Sequence, residues 1–231
     1  MSLFKKTFRR LPDQRFFKKN SSLSQSIFKK GDLPKTAVLA VGSNLNLHDV
    51  LKNSYASSIN QSQFGADKGY VFDKDLSSHN QQVYFHPEQK KLLVSIAGTH
   101  NVNDLLTDTR LMTGGLKNTD RYKEADKILQ QAKNKYGVNN AVVSGHSLGG
   151  SIASAIGSSG DKIITLDKGQ TIGNTTRKNE QALRSAGDVV SLLGAKSGIK
   201  TIGSGSVLTG GISGALGSHN ISNIKNANIY I

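Results

Sequence analysis

Apolar and polar positions along this chain fall into blocks whose period changes from strand-like to helical and back. Residues 91–97 hold the near-continuous apolar run Leu92, Leu93, Val94 and Ile96, expected of a strand covered on both faces. Residues 82–85 alternate, with Val83 and Phe85 on one face, and 70–72 make a second short strand. Over 119–136 the period lengthens: Ala125, Ile128, Leu129 and Ala132 keep helical spacing, Asp120 can cap the start and Gly137 supplies the stop. Residues 141–144 return to strand, 148–156 to a helix of small residues, and 162–166 to strand. Before them, 37–41 is a short apolar run and 44–57 a polar, weakly periodic helix. The Gly- and Ser-rich stretch 193–217 reads as a loop, with a lipid-touching surface or tight packing as alternatives. Strand, helix, strand, helix, strand in succession predicts a mostly parallel sheet joined by crossover helices.

Composition narrows the class. With 231 residues, 36% hydrophobic and 20% charged, the chain has the make-up of a globular protein, and no uncharged stretch is apolar enough to span a bilayer. The absence of Cys rules out disulfides and thiolate metal sites. The net charge of +14 is unevenly placed: residues 1–30 carry nine Lys and Arg against Asp13 alone, a net +8, leaving +6 for the other 201 residues. Phe4, Phe8 and Leu11 fall on one helical face among Lys5, Lys6, Arg9 and Arg10 before Pro12. We therefore separate a basic, flexible arm over 1–36 from a domain over 37–231. Such an arm suits an anionic membrane surface, nucleic acid, a transit peptide or a solvated tail. The charges that interrupt it leave no apolar core for a secretory signal, so an intracellular, membrane-surface or virion-associated location is expected over secretion.

The chemistry concentrates where strand 141–144 meets the helix at 148. Gly145-His146-Ser147-Leu148-Gly149-Gly150 is a G-x-S-x-G pattern in the strand–turn–helix context of a nucleophile elbow. The sharp turn needs Gly145 and Gly149, since side chains there would strike the neighbouring strand or helix. It lifts the Ser147 hydroxyl to a helix N-terminus, where the Leu148 N–H can hold an oxyanion. A nucleophilic Ser needs a base, and of six His residues only His219 follows Ser147. In the chain order Ser, acid, His of α/β hydrolases it is the residue that fits. The acid must be Asp161, Asp167, Glu180 or Asp188. Asp161 precedes a strand and Glu180 lies in a polar segment. Asp188, in a turn before an apolar run, is favoured over Asp167, which follows the strand 162–166.

Several of these pieces together resemble the class 3 lipases, the fungal triacylglycerol lipase branch of the α/β hydrolases. They are Ile96-Ala97-Gly98-Thr99, Asp104 and Asp108, the elbow, Ala186-Gly187-Asp188-Val189-Val190, and Ser218-His219-Asn220. The resemblance covers about 91–222. It implies an α/β-hydrolase fold with helices on both faces of a mostly parallel sheet, and it maps a second oxyanion donor onto Thr99. Two places depart from the family pattern: Ile96-Ala97 stands where an Arg or similar residue is usual before the Gly-Thr, and Asp167 where Gly is common.

The expected function is a serine esterase or lipase using Ser147, His219 and Asp188 on lipid esters, acylglycerol or phospholipid, with no metal or organic cofactor. Leu111, Met112 and Leu116 beside Gly114 and Gly115 read as a lid or as core. The alternative class is a structural, virion-associated protein that keeps a hydrolase fold and uses the arm on nucleic acid, membrane or a particle shell.

Overall fold

The computed structural model describes residues 44–56, 63–100, 115–169, 176–188, 198–202 and 219–231. The chain divides into two units, Met1–Leu39 and Ala40–Ile231, and every described residue lies in the second. The basic arm, the run at 37–41, residues 109–114 of the lid segment, and Asp104, Asp108, Val189 and Val190 fall outside the described residues.

Seven strands form one sheet in chain order: β1 (Val71–Phe72), β2 (Gln81–His86), β3 (Lys91–Ile96), β4 (Val142–His146), β5 (Lys162–Leu166), β6 (Glu180–Ser185) and β7 (Ile199–Ile202). The β1–β2 and β2–β3 pairs are antiparallel, and β3 to β7 run parallel. Among the described residues three helices cover it: α1 (Leu47–Ser54), α2 (Asp120–Tyr136) between β3 and β4, and α3 (Leu148–Ile156) between β4 and β5. On one face Val83, Leu92, Val94 and Val143 pack against Ala125 and Leu129 of α2 and Ile152 of α3. On the other, Tyr84, Leu93, Val142, Ile164 and Leu183 pack against Leu47, Val50 and Leu51 of α1. The fold is thus the expected α/β one, a mostly parallel sheet with helices on both faces.

Local chemistry sets the boundaries. Thr119, rather than Asp120, caps α2, its side chain accepting the Tyr122 N–H, and Asp120 is the first helical residue. Gly137 closes α2 at φ 62°. β2 is covered on both faces. Tyr84 is 1% exposed because α1 covers the face opposite Val83. β6 lies where the sequence reads as a polar segment, since its polar groups are answered inside the fold: Glu180 accepts from Lys168, Thr165 and Ser154. Part of the predicted Gly/Ser loop, Ile199–Ile202, is strand β7, paired with β6. Leu116 of the predicted lid sits in a short 3-10 turn and packs against the core.

At the end of the sheet remote from the elbow, Asp161 braces α2 against β5. Its carboxylate accepts the Ala141 N–H at 2.8 Å, the Ser158 N–H at 2.7 Å and hydroxyl at 2.8 Å, and the buried Lys133 ammonium at 2.8 Å. This is a structural role, and it removes Asp161 from the acid candidates.

Candidate active site

β4 ends at His146 and α3 begins at Leu148, so Ser147 alone makes the turn, at φ 56° and ψ −125°. Its N–H is held by the Leu166 carbonyl at 2.9 Å. A Cβ at Gly145 would run into the Gly149 carbonyl, and one at Gly149 into the Ile96 and Ala97 carbonyls. Both glycines therefore let α3 start hard against the ends of β3 and β4. Gly98 is equally close: a Cβ there would sit 2.8 Å from the Ser147 Cβ. The Gly98-Thr99 turn after β3 thus lies beside the Ser147 side chain, and Leu148 opens α3 with an N–H that the helix itself does not use.

Among the described residues, the Ser147 hydroxyl is buried without a hydrogen-bond partner. His219, 7% exposed, has its Nδ1 2.8 Å from Asp188 Oδ1, and its Nε2 is likewise buried without a partner. Because a carboxylate only accepts, Nδ1 carries the hydrogen in this pair and Nε2 presents a lone pair. Asp188 comes from the turn after β6, where Gly187 adopts φ 85° and the Asp188 N–H returns to the Ser185 carbonyl at 3.1 Å.

His146 ties these parts together. Its Nε2 lies 3.1 Å from the His219 carbonyl, which can only accept, so Nε2 donates. Its Nδ1 then takes the Tyr55 hydroxyl hydrogen at 2.7 Å, and the Tyr55 oxygen accepts the Gly98 N–H at 2.6 Å. Burial, with the neighbouring His219 adding to it, pushes the His146 imidazole down to about 3, so it stays neutral and the relay keeps one orientation. The two imidazole centroids are 4.9 Å apart. Neither Tyr55 nor Arg121 stands out in the sequence. Arg121, from the first turn of α2, bonds the Ala97 carbonyl at 2.6 Å and the Gly98 carbonyl at 3.3 Å. The Arg121 guanidinium thus grips the turn after β3 from α2.

Asp167 lies below this layer, fully buried at φ 50°, with Ser185 and not His219 as its hydrogen-bond partner. Of the four acid candidates, Asp188 is the one bonded to His219 in the described structure. Among the described residues, His146, Asp167 and His219 bring metal-capable atoms within 4.8 Å of one another. The His146 Nε2 and both Asp167 oxygens are already engaged by protein groups, which ill suits a cation. Of the remaining histidines, His79 and His100 stack at 4.0 Å, and His100 meets the Tyr55 ring edge-on at 5.2 Å.

No family model matches the sequence, and no curated protein matches it. Among solved structures the chain is similar to a triacylglycerol lipase whose catalytic centre is formed by a serine protease triad. That match has 15% identity over 64% of this chain and 71% of that one, with a TM-score of 0.47. It is also similar to the Rhizomucor miehei lipase in complex with its propeptide, at 16% identity over 64% of this chain and 61% of that one, with a TM-score of 0.45. A Yarrowia lipolytica lipase matches at 16% identity over 68% of this chain and 76% of that one, with a TM-score of 0.39.

Proposed function

We propose that the protein is a serine hydrolase of carboxylic esters, with Ser147 as nucleophile, His219 as base and Asp188 as the orienting acid. One observation carries the reading. A buried imidazole is held at Nδ1 by a buried carboxylate and keeps a free Nε2, while the hydroxyl at a strained elbow, in the residue next to one that bonds His219, is also unpartnered. Each such buried orphan costs about 1–3 kcal/mol, so two together call for a purpose.

The Ser147 oxygen attacks the ester carbonyl carbon as His219 Nε2 takes its proton, and Asp188 stabilises the imidazolium. The Leu148 and Thr99 amides hold the charge that forms on the carbonyl oxygen. The ester C–O bond breaks, the leaving alcohol takes the proton from His219, and Ser147 is left acylated. Water then attacks the acyl carbon, His219 accepts its proton and returns it to Ser147, and the free acid departs. Lipid esters, acylglycerol or phospholipid, are the proposed substrate class. The net +8 of residues 1–30 supports work at an anionic interface.

The test is fluorophosphonate labelling of the full chain, read by intact mass and peptide mapping, followed by an ester panel. One adduct at Ser147, abolished in Ser147→Ala together with turnover by several powers of ten, is the expected result. A folded protein that takes no label, with or without detergent micelles, refutes the reading.

A further inference from the structure

Asp167 combines two costs. It occupies a φ of 50°, where glycine is at ease, and it is a fully buried carboxyl placed beside a second one, Asp188. Its backbone is fixed, since its N–H donates to the Leu183 carbonyl at 2.9 Å, extending the β5–β6 pairing by one residue. Its side chain is fixed as well. Oδ1 accepts the Ser185 N–H at 2.6 Å and Oδ2 the Ser185 hydroxyl at 2.7 Å. Ser185 ends β6, and its carbonyl receives the Asp188 N–H. Asp167 therefore clamps the base of the turn from which Asp188 reaches His219.

The groups that face this carboxyl come from four elements. Asp188 lies on the β6 turn, His219 on the segment before residue 220, and His146 on β4, its Nε2 3.9 Å from Asp167 Oδ2. Tyr55 stands behind His146, beside the end of α1. His146 is neutral, and the neighbouring Lys168 spends its ammonium on Glu180. Among the described groups that face it, His219 is the one that can bring a positive charge. Burial, then the Asp188 charge, pushes the Asp167 carboxyl up to about 7, while His219 and the two Ser185 donors pull the other way.

We propose that Asp167 is a positioning residue for the Asp188–His219 pair: through Ser185 it fixes the turn that carries Asp188, and its charge biases the proton on His219. Its catalytic consequence rests on the esterase reading above. Where glycine would be free of strain, the carboxylate gives the site a second, titrating negative charge beneath the imidazole. As pH rises through neutrality the carboxyl ionises, and a proton on His219 is then better held.

The experiment compares the full-length wild type with Asp167→Asn and Asp167→Gly. Three readouts are taken from pH 5 to 9: fluorophosphonate labelling, p-nitrophenyl butyrate turnover, and NMR signals of the His219 ring. Asn keeps the shape and an acceptor for the Ser185 N–H but carries no charge. It should label normally while the pH midpoint of the His219 signals and the acid limb of the rate profile both move down by about one unit. Gly suits the backbone but frees the turn, and it should lose about tenfold in kcat with KM unchanged. His219 signals and rate profiles that superpose in all three proteins would overturn the proposal while a labelled Ser147 leaves the esterase intact. An unlabelled wild type would overturn the esterase, and the His219 signals would then still decide the charge coupling.

Discussion

Ser147 should be a liability to the fold, and its removal should stabilise the protein while abolishing turnover. Its backbone sits at φ 56° and ψ −125°, closed to most side chains, and its hydroxyl is buried without a partner. Strain of this kind is worth about 1–3 kcal/mol, and an orphaned buried hydroxyl about the same. Ser147→Ala removes the orphan and keeps the strain, for a gain of about 1 kcal/mol. Ser147→Gly relieves both, less about 0.5–1 kcal/mol for the freer unfolded chain, for a net gain of about 2 kcal/mol. In a domain of this size each kcal/mol moves Tm by about 2–4 °C, so Ala should add about 2–4 °C and Gly about twice that. Thermal and urea unfolding by circular dichroism would measure both, with the native ester assay beside them. The order decides the matter. Either variant melting below wild type, or Gly below Ala, would show that Ser147 is not strained or not orphaned, and would refute a purpose-built nucleophile.

Burial alone would raise the Asp161 carboxyl, but the Lys133 ammonium and the Ser158 and Ala141 donors outweigh it and hold it below the ordinary carboxylate range. Its contribution is therefore full above about pH 4 and lost as pH falls through the lower folded value. Asp161→Asn should cost about 3–5 kcal/mol at pH 7, with Lys133 left unpaired, and an equal cost measured near pH 3 would contradict that account. Tyr55→Phe removes the acceptor of the Gly98 N–H and the donor to His146. It should cost about 2–4 kcal/mol in denaturant unfolding and slow ester turnover more than it weakens substrate binding, whereas an unchanged kcat would place the relay outside the chemistry.

How much of this could be read in the sequence depended on whether a residue's role is local. The elbow was legible because one short stretch holds the strand, the Ser and both glycines that the turn needs. The structure bonds His219, singled out by elimination, to Asp188, singled out by the turn around it. Strand β6 around Glu180 did not show in the sequence because a strand's polar residues look like loop until their partners are known, and Lys168, Thr165 and Ser154 come from other elements. Tyr55 and Arg121 act on Gly98 from 43 and 23 residues away, so no pattern near Gly98 announces them. Strand β7 has only four residues, and its Ile-Lys-Thr-Ile has no alternation long enough to stand out from the glycines around it.

The short helix α1 is held at both ends by segments of the site. Beside its last turn, Tyr55 bonds Gly98 and His146, and at its start the Leu47 N–H takes the Ile229 carbonyl at 2.8 Å while the Leu45 carbonyl takes the Ile231 N–H at 3.0 Å. Ile224, five residues after His219, packs into the same cluster as Leu47 and Leu51. An eight-residue helix is a weak cooperative unit by itself, and its hydrogen-exchange protection would come from these two attachments. If α1 opens, the turn beside Ser147 and the segment after His219 are released in the same event. The proposed esterase activity would then vanish in a local opening that leaves the parallel sheet folded, and the temperature that limits it would be set by α1 and not by the core.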